Sequence, residues 1–441
     1  MKFPPEKLIF LRFISIQRIV YQTIFIMNHT SIEIMAPAGS WDAMMAAIKA
    51  GANSVYFGVE QLNMRARQTN NFLVEDLPEV ARVCNEHHVK SYITLNTIIY
   101  DHDISLMRRI IDHAKEAGIT AVIASDLAVM NYCKKKGMEL HISTQSNITN
   151  IETVELYANY ADVVVMAREL TLKQVGDIVK MIQKNDITGP SGNLVEVEIF
   201  AHGALCMAVS GKCYLSLHSH NASANRGACI QNCRREYVVT DKEEGTELLI
   251  DNEYIMSAKD LCTIDFLDKI IDAGVKVLKI EGRGRAADYV YETTKCYREA
   301  VDAILAGDYT AEKIENWKER LSKVYNRGFW DGYYLGRKMG EWSNQYGSVA
   351  TQKKVYLGKG MKYYDKIGVG EFLLESQEIN LGDKIMITGP TTGYVETLVE
   401  EIRLDTGTAV AKASKGDTIS IRIGEKIRPS DKLYKIVANH V

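Results

Sequence analysis

The chain has 441 residues, with 53 Lys and Arg against 56 Asp and Glu, a net charge of −3, and 46% hydrophobic content. That composition is globular and long enough for one large domain and a smaller one, so a disordered or fibrous chain is excluded. Near-neutral charge also excludes nucleic-acid binding through global positive charge, leaving only local patches. In residues 351–441 there are 14 Lys and Arg against 12 Asp and Glu, a mildly basic tail.

Residues 1–30 are apolar but broken by Arg12, Gln17 and Arg18, which fits neither a signal peptide nor a membrane anchor. They read as an N-terminal extension, untranslated or disordered, with initiation at Met27. No membrane association is expected, and free cysteines suit a reducing cytoplasmic setting.

From Glu33 onward, β-branched runs alternate with amphipathic stretches, the pattern of repeated βα units. The strands are expected at Ile32–Ala36, Ser54–Gly58, Ser91–Leu95, Ala121–Ala124, Leu140–Ser143, Val163–Met166, Val195–Phe200 and Val275–Ile280. Eight units in this length predict a TIM-like (β/α)8 barrel over 31–340, with a doubly wound sheet as the alternative. Between the first two strands, Ser40 is positioned to cap a helix that Gly51 closes. Short strands and glycine turns over 350–441 predict a small C-terminal β-barrel, read either as a stabilising appendage or as an RNA-docking module.

Cysteine usage is uneven. Cys206, Cys213, Cys229 and Cys233 form C-x6-C-x15-C-x3-C within an insertion at 201–262, whereas Cys84, Cys133 and Cys296 lie singly in helical patterns and read as core or surface thiols, not ligands. Four thiolates on a flexible connector suit a metal or cluster site. Zinc favours shorter knuckles than x6, so the spacing leans towards a 4Fe-4S cluster while a zinc-stabilised RNA-binding scaffold stays open.

A barrel places function at the carboxyl ends of its strands. Those ends carry Pro37 and Gly39, Arg65, Asn96, Asp126, Gln145, Arg168 with Glu169, His202, and Glu281 with Arg283. Each has a plain structural use as a cap or a solvated pair, but together they predict a polar pocket. Arg65, Arg168 and Arg283 suit a dicarboxylate, and Asn96 and Gln145 suit the edge of an unstacked base. The segment SGK at 210–212 lacks the glycine spacing of a phosphate loop, and no H-E-x-x-H or G-x-S-x-G occurs.

The segments APAGS, HGALCMAVSGKCYLS, GACIQNC, KDL, KIEGR and NRGFWDGYYLG resemble the collagenase-like peptidase family, members of which are iron-sulfur-dependent hydroxylases. The resemblance covers 31–437. In length and tail the chain is most similar to members that make 5-hydroxyuridine at the wobble position of tRNA with prephenate as oxygen donor. It implies a barrel fold, a 4Fe-4S cluster on Cys206, Cys213, Cys229 and Cys233, and pocket roles for Glu281 and Arg283. Cys262, in KDLC, is a fifth thiol near the same loop. A peptidase, or a hydroxylase of rRNA or a quinone precursor, is the alternative the family offers.

Overall fold

The computed structural model describes residues 32–67, 71–238, 242–243, 256–336 and 340–439. The N-terminal extension expected at 1–30 lies outside them. Among the described residues no helix is long and apolar enough to cross a membrane.

Seven strands follow in order: β1 (Glu33–Pro37), β2 (Ser54–Gly58), β3 (Lys90–Leu95), β4 (Ala121–Ala124), β5 (Glu139–Ile142), β6 (Val163–Val165) and β7 (Glu196–Ala204). The two-stranded excursion β8 (Asp260–Cys262) and β10 (Phe329–Trp330) lies beside β7, and β9 (Val277–Ile280) is the eighth barrel strand. Each barrel strand is parallel to the next, and β9 pairs with both β7 and β1, closing the ring. That closure rules out the doubly wound sheet, because an open sheet leaves two edges unpaired.

Helices alternate with the strands: α1 (Trp41–Lys49), α2 (Leu77–Glu86), α3 (Ile104–Ala117), α4 (Leu127–Lys136), α5 (Ile151–Ala158) and α6 (Leu172–Lys184). Ser40 caps α1 by accepting from the Ala43 amide, and Asp126 caps α4 by accepting from the Ala128 amide. Asp126 is thus a cap and not a pocket residue. After β7 come the short α7 (Leu215–His220), then α8 (Leu267–Asp272), and after β9 the long α9 (Ala287–Leu305) and α10 (Ala311–Lys323). Cys84, Cys133 and Cys296 are fully buried in α2, α4 and α9, so of the core and surface positions open to them they take the core.

The C-terminal part is antiparallel: β11 (Gln352–Tyr364), β12 (Val369–Leu374), β13 (Glu378–Asn380), β14 (Lys384–Gly389), β15 (Gly393–Leu398), β16 (Ile402–Leu404), β17 (Ala409–Val410), β18 (Lys412–Ser414), β19 (Thr418–Arg422) and β20 (Lys432–Ala438). The main sheet runs β15-β14-β20-β11-β12-β19-β16-β17, and β13 pairs with β18. Its two edges do not pair among the described residues, so this part consists of antiparallel sheets, without the closure expected of a barrel among those residues. The β15 edge is covered instead of closed: a Cβ at Gly393 would lie 2.9 Å from the Ala46 amide of α1. Met386 and Tyr394 bury against Ala46 and Ala287, and Tyr394 stacks on Tyr291 with centroids 4.6 Å apart.

Candidate active site

At the carboxyl end of the barrel lies a cavity of about 1070 Å³. Its floor is made by inward side chains of the strands, Tyr56, Thr94, Ile123, Val165, Phe200 and Lys279. Its roof is the chain from Leu205 to Arg234, which leaves β7 and returns as β8.

That roof is tied down over several strand ends. Ile98 after β3 donates to the Asn225 carbonyl at 3.1 Å, and Arg67 after β2 donates to the Gly227 carbonyl at 3.4 Å. A Cβ at Gly227 would meet the Asn63 carbonyl at 2.4 Å, and one at Gly211 would press on Gln145 at 3.0 Å. Arg226 lies over the Tyr100 ring at 4.1 Å and pairs with Asp103. Arg234 donates to the Leu205 carbonyl at 2.7 Å and to Ser257 at 3.0 Å, joining the two ends of the roof.

Cys206, Cys213, Cys229 and Cys233 all line this one cavity, and none is in a disulfide. Burial pushes the Cys233 thiol up; Arg234 lowers it, and the other three thiols add to the rise, so all four lie within electrostatic range of one another. Among the described residues, no three His, Cys, Asp or Glu gather as a single metal ion requires. Cys262 sits elsewhere: it is buried in β8, outside the cavity lining, and burial pushes its thiol up to about 12.

Among the described residues, nine Arg and Lys side chains line the cavity against one carboxylate, Glu281. Arg65 meets Glu281 at 2.9 Å, linking the loop after β2 to the end of β9. Burial raises the Glu281 carboxyl, but Arg65, with Arg285, outweighs it and holds the group below its ordinary range. Arg283 is 5% exposed and donates to Thr94 at 2.8 Å and Asn63 at 3.1 Å, both neutral. Burial pulls its guanidinium down to about 10.

The backbone is shaped around this arginine. A Cβ at Gly58 would lie 2.6 Å from its Nη1, and one at Gly39 would lie 1.8 Å from its carbonyl oxygen. Arg168 lies over the Phe200 ring at 3.8 Å and donates to the Ala204 carbonyl at 3.2 Å, while its buried Nε finds no acceptor among the described residues. Asn96 accepts from the Met64 amide at 3.1 Å and donates to Gln145 at 3.4 Å, and Ser143 also donates to Gln145.

The structure therefore brings Arg65, Asn96, Gln145, Arg168, Glu281 and Arg283 to one cavity with the four cysteines. His202 is not among them. A β-bulge between Phe200 and His202 turns it outward, where it packs on Tyr297, Phe329 and Tyr289. Burial pulls its imidazole down to about 3, so it is neutral. Lys279, Tyr56, Arg234, Arg285 and Arg327 line the cavity without having been singled out from the sequence. Lys279 had a usable signal: in KIEGR it shares the two-residue period of Glu281 and Arg283, so all three face one way.

Fold and site together define a (β/α)8-barrel protein with a cationic, thiol-walled cavity suited to an anionic ligand. The sequence profile of Peptidase family U32 matches residues 39–344, and the chain belongs to that family. It is 59% identical to a collagenase of Porphyromonas gingivalis (strain ATCC BAA-308 / W83), over 93% of this chain and 99% of that one. It is also 28% identical to tRNA hydroxylation protein P1 of Bacillus subtilis (strain 168), over 91% and 94% of the two chains. Among solved structures, the U32 peptidase Mk0906 aligns at 10% identity over 57% of this chain and 94% of that one, with a TM-score of 0.37.

Proposed function

We propose that this chain is an iron-sulfur-dependent RNA hydroxylase that forms 5-hydroxyuridine at the wobble position of tRNA, with prephenate as the oxygen donor. The observation that carries the reading is the co-location of four thiols, none in a disulfide, with nine cations and one carboxylate in a single cavity. A relative of nearly the same length is named a tRNA hydroxylation protein.

Cys206, Cys213, Cys229 and Cys233 would hold the cluster. A lone zinc draws its four thiolates to within about 3.8 Å of one another, as Zn–S bonds of about 2.3 Å in a tetrahedron require. The C-x6-C-x15-C-x3-C spacing is looser than a zinc knuckle, and all four thiols line one cavity, which supports a cluster as the occupant. Bound there, a four-iron cluster would supply one-electron chemistry beside the cavity.

The remaining residues bind and orient. Arg283 and Arg168 present guanidinium groups with spare donors, and two carboxylates of one small acid would satisfy them. Arg65 is steered by Glu281 and fixes the third side of the same subsite. Asn96 and Gln145 present amides where a base flipped from a single-stranded loop would enter. The roof is tied to the strand ends by the Ile98–Asn225 and Arg67–Gly227 bonds, which hold these contacts in place.

The relative named a collagenase keeps a peptidase reading in view. The cavity hydroxyls offer it little: Thr94 donates to the Phe57 carbonyl at 2.9 Å, Tyr56 donates to the Ile280 carbonyl at 2.9 Å, and Ser143 donates to Gln145. None of these bonds makes a base-activated nucleophile. The test is the nucleoside profile of tRNA from cells lacking this gene, run beside gelatin cleavage by the anaerobically purified protein. Loss of 5-hydroxyuridine with no cleavage supports the hydroxylase; an unchanged profile with cleavage overturns it.

A further inference from the structure

The axis of a parallel barrel is ordinarily filled by branched apolar side chains. Here Met35, Tyr56, Tyr92, Ile123, Val163 and Val277 do that in part, but ionisable groups run through them from the cavity floor to the opposite end. Lys279 Nζ lies 2.8 Å from Glu198 Oε1 and over the Tyr56 ring at 4.6 Å. The other oxygen of Glu198 faces His141 Nδ1 at 3.8 Å, and neither of those two atoms has a hydrogen-bond partner among the described residues. His141 Nε2 lies 3.4 Å from Glu139, whose side chain is 40% exposed at the base of the barrel.

Lys279, Glu198 and His141 are nearly sealed, yet each carries a proton site, and together they span the barrel. Replacing buried ion pairs by apolar groups is often neutral for stability, so packing alone does not account for a charged axis. We propose that Lys279 is the proton-handling group at the floor of the cavity, and that Glu198 and His141 carry protons between it and solvent at the far end. The inference rests on the hydroxylase reading for its substrate, an anion with an oxygen that would take up the proton.

The step is proton transfer alone. The ammonium of Lys279 gives a proton to an oxygen of the bound anion, and the N–H electron pair stays on nitrogen. Imidazolium His141 passes a proton to Glu198 Oε2, the neutral carboxyl turns about its Cγ–Cδ bond and hands that same proton to the Lys279 amine, and His141 is recharged past Glu139. One proton moves from solvent to cavity and no electrons move. The missing link is the 3.8 Å gap between His141 and Glu198, which a sub-ångström side-chain shift closes to hydrogen-bond range.

The charged and titratable surroundings are mixed. Lys279 faces Glu198 from β7 and Tyr56 from β2, with Glu281 and Arg283 further along its own chain segment. His141 faces Glu139 from its own strand, Glu198 from β7 and Tyr92 from β3; Tyr92 in turn donates to Glu33 of β1 at 2.8 Å, which pairs with Lys90. Glu196 of β7 lies within electrostatic range of His141.

The test measures single-turnover formation of 5-hydroxyuridine by holoenzyme from pH 6 to 10, together with iron content and tRNA affinity. Lys279→Met should slow the step about 100-fold with iron and affinity kept, and Lys279→Arg should not rescue it, because a guanidinium keeps its proton. A neutral pair, Glu198→Gln with Lys279→Met, guards against misfolding from an unpaired buried charge and should be equally slow. His141→Gln should slow turnover about 10-fold and displace the alkaline limb of the profile. Full activity of Lys279→Arg, or an unchanged profile for His141→Gln, overturns the proposal.

A second readout does not depend on the substrate. The imidazole resonances of His141 should titrate at higher pH in Lys279→Met than in wild type, since a nearby cation is gone. Identical titrations would overturn the coupling, whereas a wild-type enzyme silent on tRNA but showing that shift would overturn only the hydroxylase reading.

Discussion

His202 of β7 stands directly across from Cys262 of β8 in the antiparallel pair, and both side chains are buried away from the cavity. The fifth thiol of the cysteine-rich region is thus part of the barrel wall, with Tyr297 its hydroxyl neighbour at 4.0 Å. On the hydroxylase reading, anaerobically purified protein should be brown and carry iron, and replacement of Cys206, Cys213, Cys229 or Cys233 by Ser should abolish both. Cys262→Ala should leave both intact while lowering thermal stability, because it opens a small space in a packed wall. Iron per chain and visible absorbance decide it. Loss of iron in Cys262→Ala would move that residue into the ligand set.

Arg283 carries the next prediction. Lysine at this position keeps the charge but loses the planar guanidinium, in which Nη1 alone donates to both Thr94 and Asn63 and the other nitrogens are left for a carboxylate. A charged hydrogen bond is worth about 1.5–3 kcal/mol, so Arg283→Lys should weaken binding of a dicarboxylate about 10- to 100-fold with iron content unchanged. Calorimetric titration with prephenate, and with a monocarboxylate as control, measures it. Equal affinity in the two proteins would remove Arg283 from the subsite.

The third prediction concerns pH. Burial opposes the charged form of His141, but Glu139 and Glu198 outweigh it and raise the imidazole to about 9. A base raised in the folded state stabilises the fold fully below its unfolded value near 6.5, and that contribution is lost as pH climbs through about 9. Unfolding free energy should therefore fall by of order 3 kcal/mol across that window. His141→Gln should show a flatter curve between the same limits. Urea midpoints at half-unit pH steps provide the comparison, and parallel curves would show that His141 is neutral in the fold.

Much of this fold was legible because strands and helices impose different periods on apolar residues. Short β-branched runs marked six barrel strands to within one residue and β9 to within two, whereas β7 runs four residues past its expected end at Phe200. The same logic failed wherever the backbone left its period. The bulge after Phe200 inverts His202, and a local insertion of this kind has no side-chain signature. The short β8 and β10 pair only through the roof and the segment beyond α10, segments far apart in sequence. For the C-terminal part, strand spacing showed antiparallel structure but not closure. The β15 edge is met by α1, where Gly393 faces Ala46 across a long sequence separation that strand spacing does not report. The site was legible as far as residue types concentrate at strand ends; Lys279 was passed over because it precedes the end of its strand.

The antiparallel sheets supply the last prediction. They carry more cations than the rest of the chain in proportion, and Lys353 and Lys362 of β11 are solvent-exposed. Removing this whole part would confound binding with folding, since Met386 and Tyr394 cover apolar surface of α1 and α9. Charge reversal at exposed positions avoids that. Lys353→Glu with Lys362→Glu should weaken tRNA binding and make the plot of log affinity against log salt shallower. For every phosphate the protein no longer neutralises, the slope shrinks by about 0.7 for a single strand and about 0.9 for a duplex. Iron content should stay at the wild-type level, and thermal stability should fall slightly, because Lys362 stands opposite Glu371 of β12 and over the Tyr364 ring at 4.8 Å. A slope unchanged by the double substitution would assign the sheets a purely structural role, and RNA binding would then rest on the cationic mouth of the barrel, where Lys212 and Arg67 are the residues to reverse next.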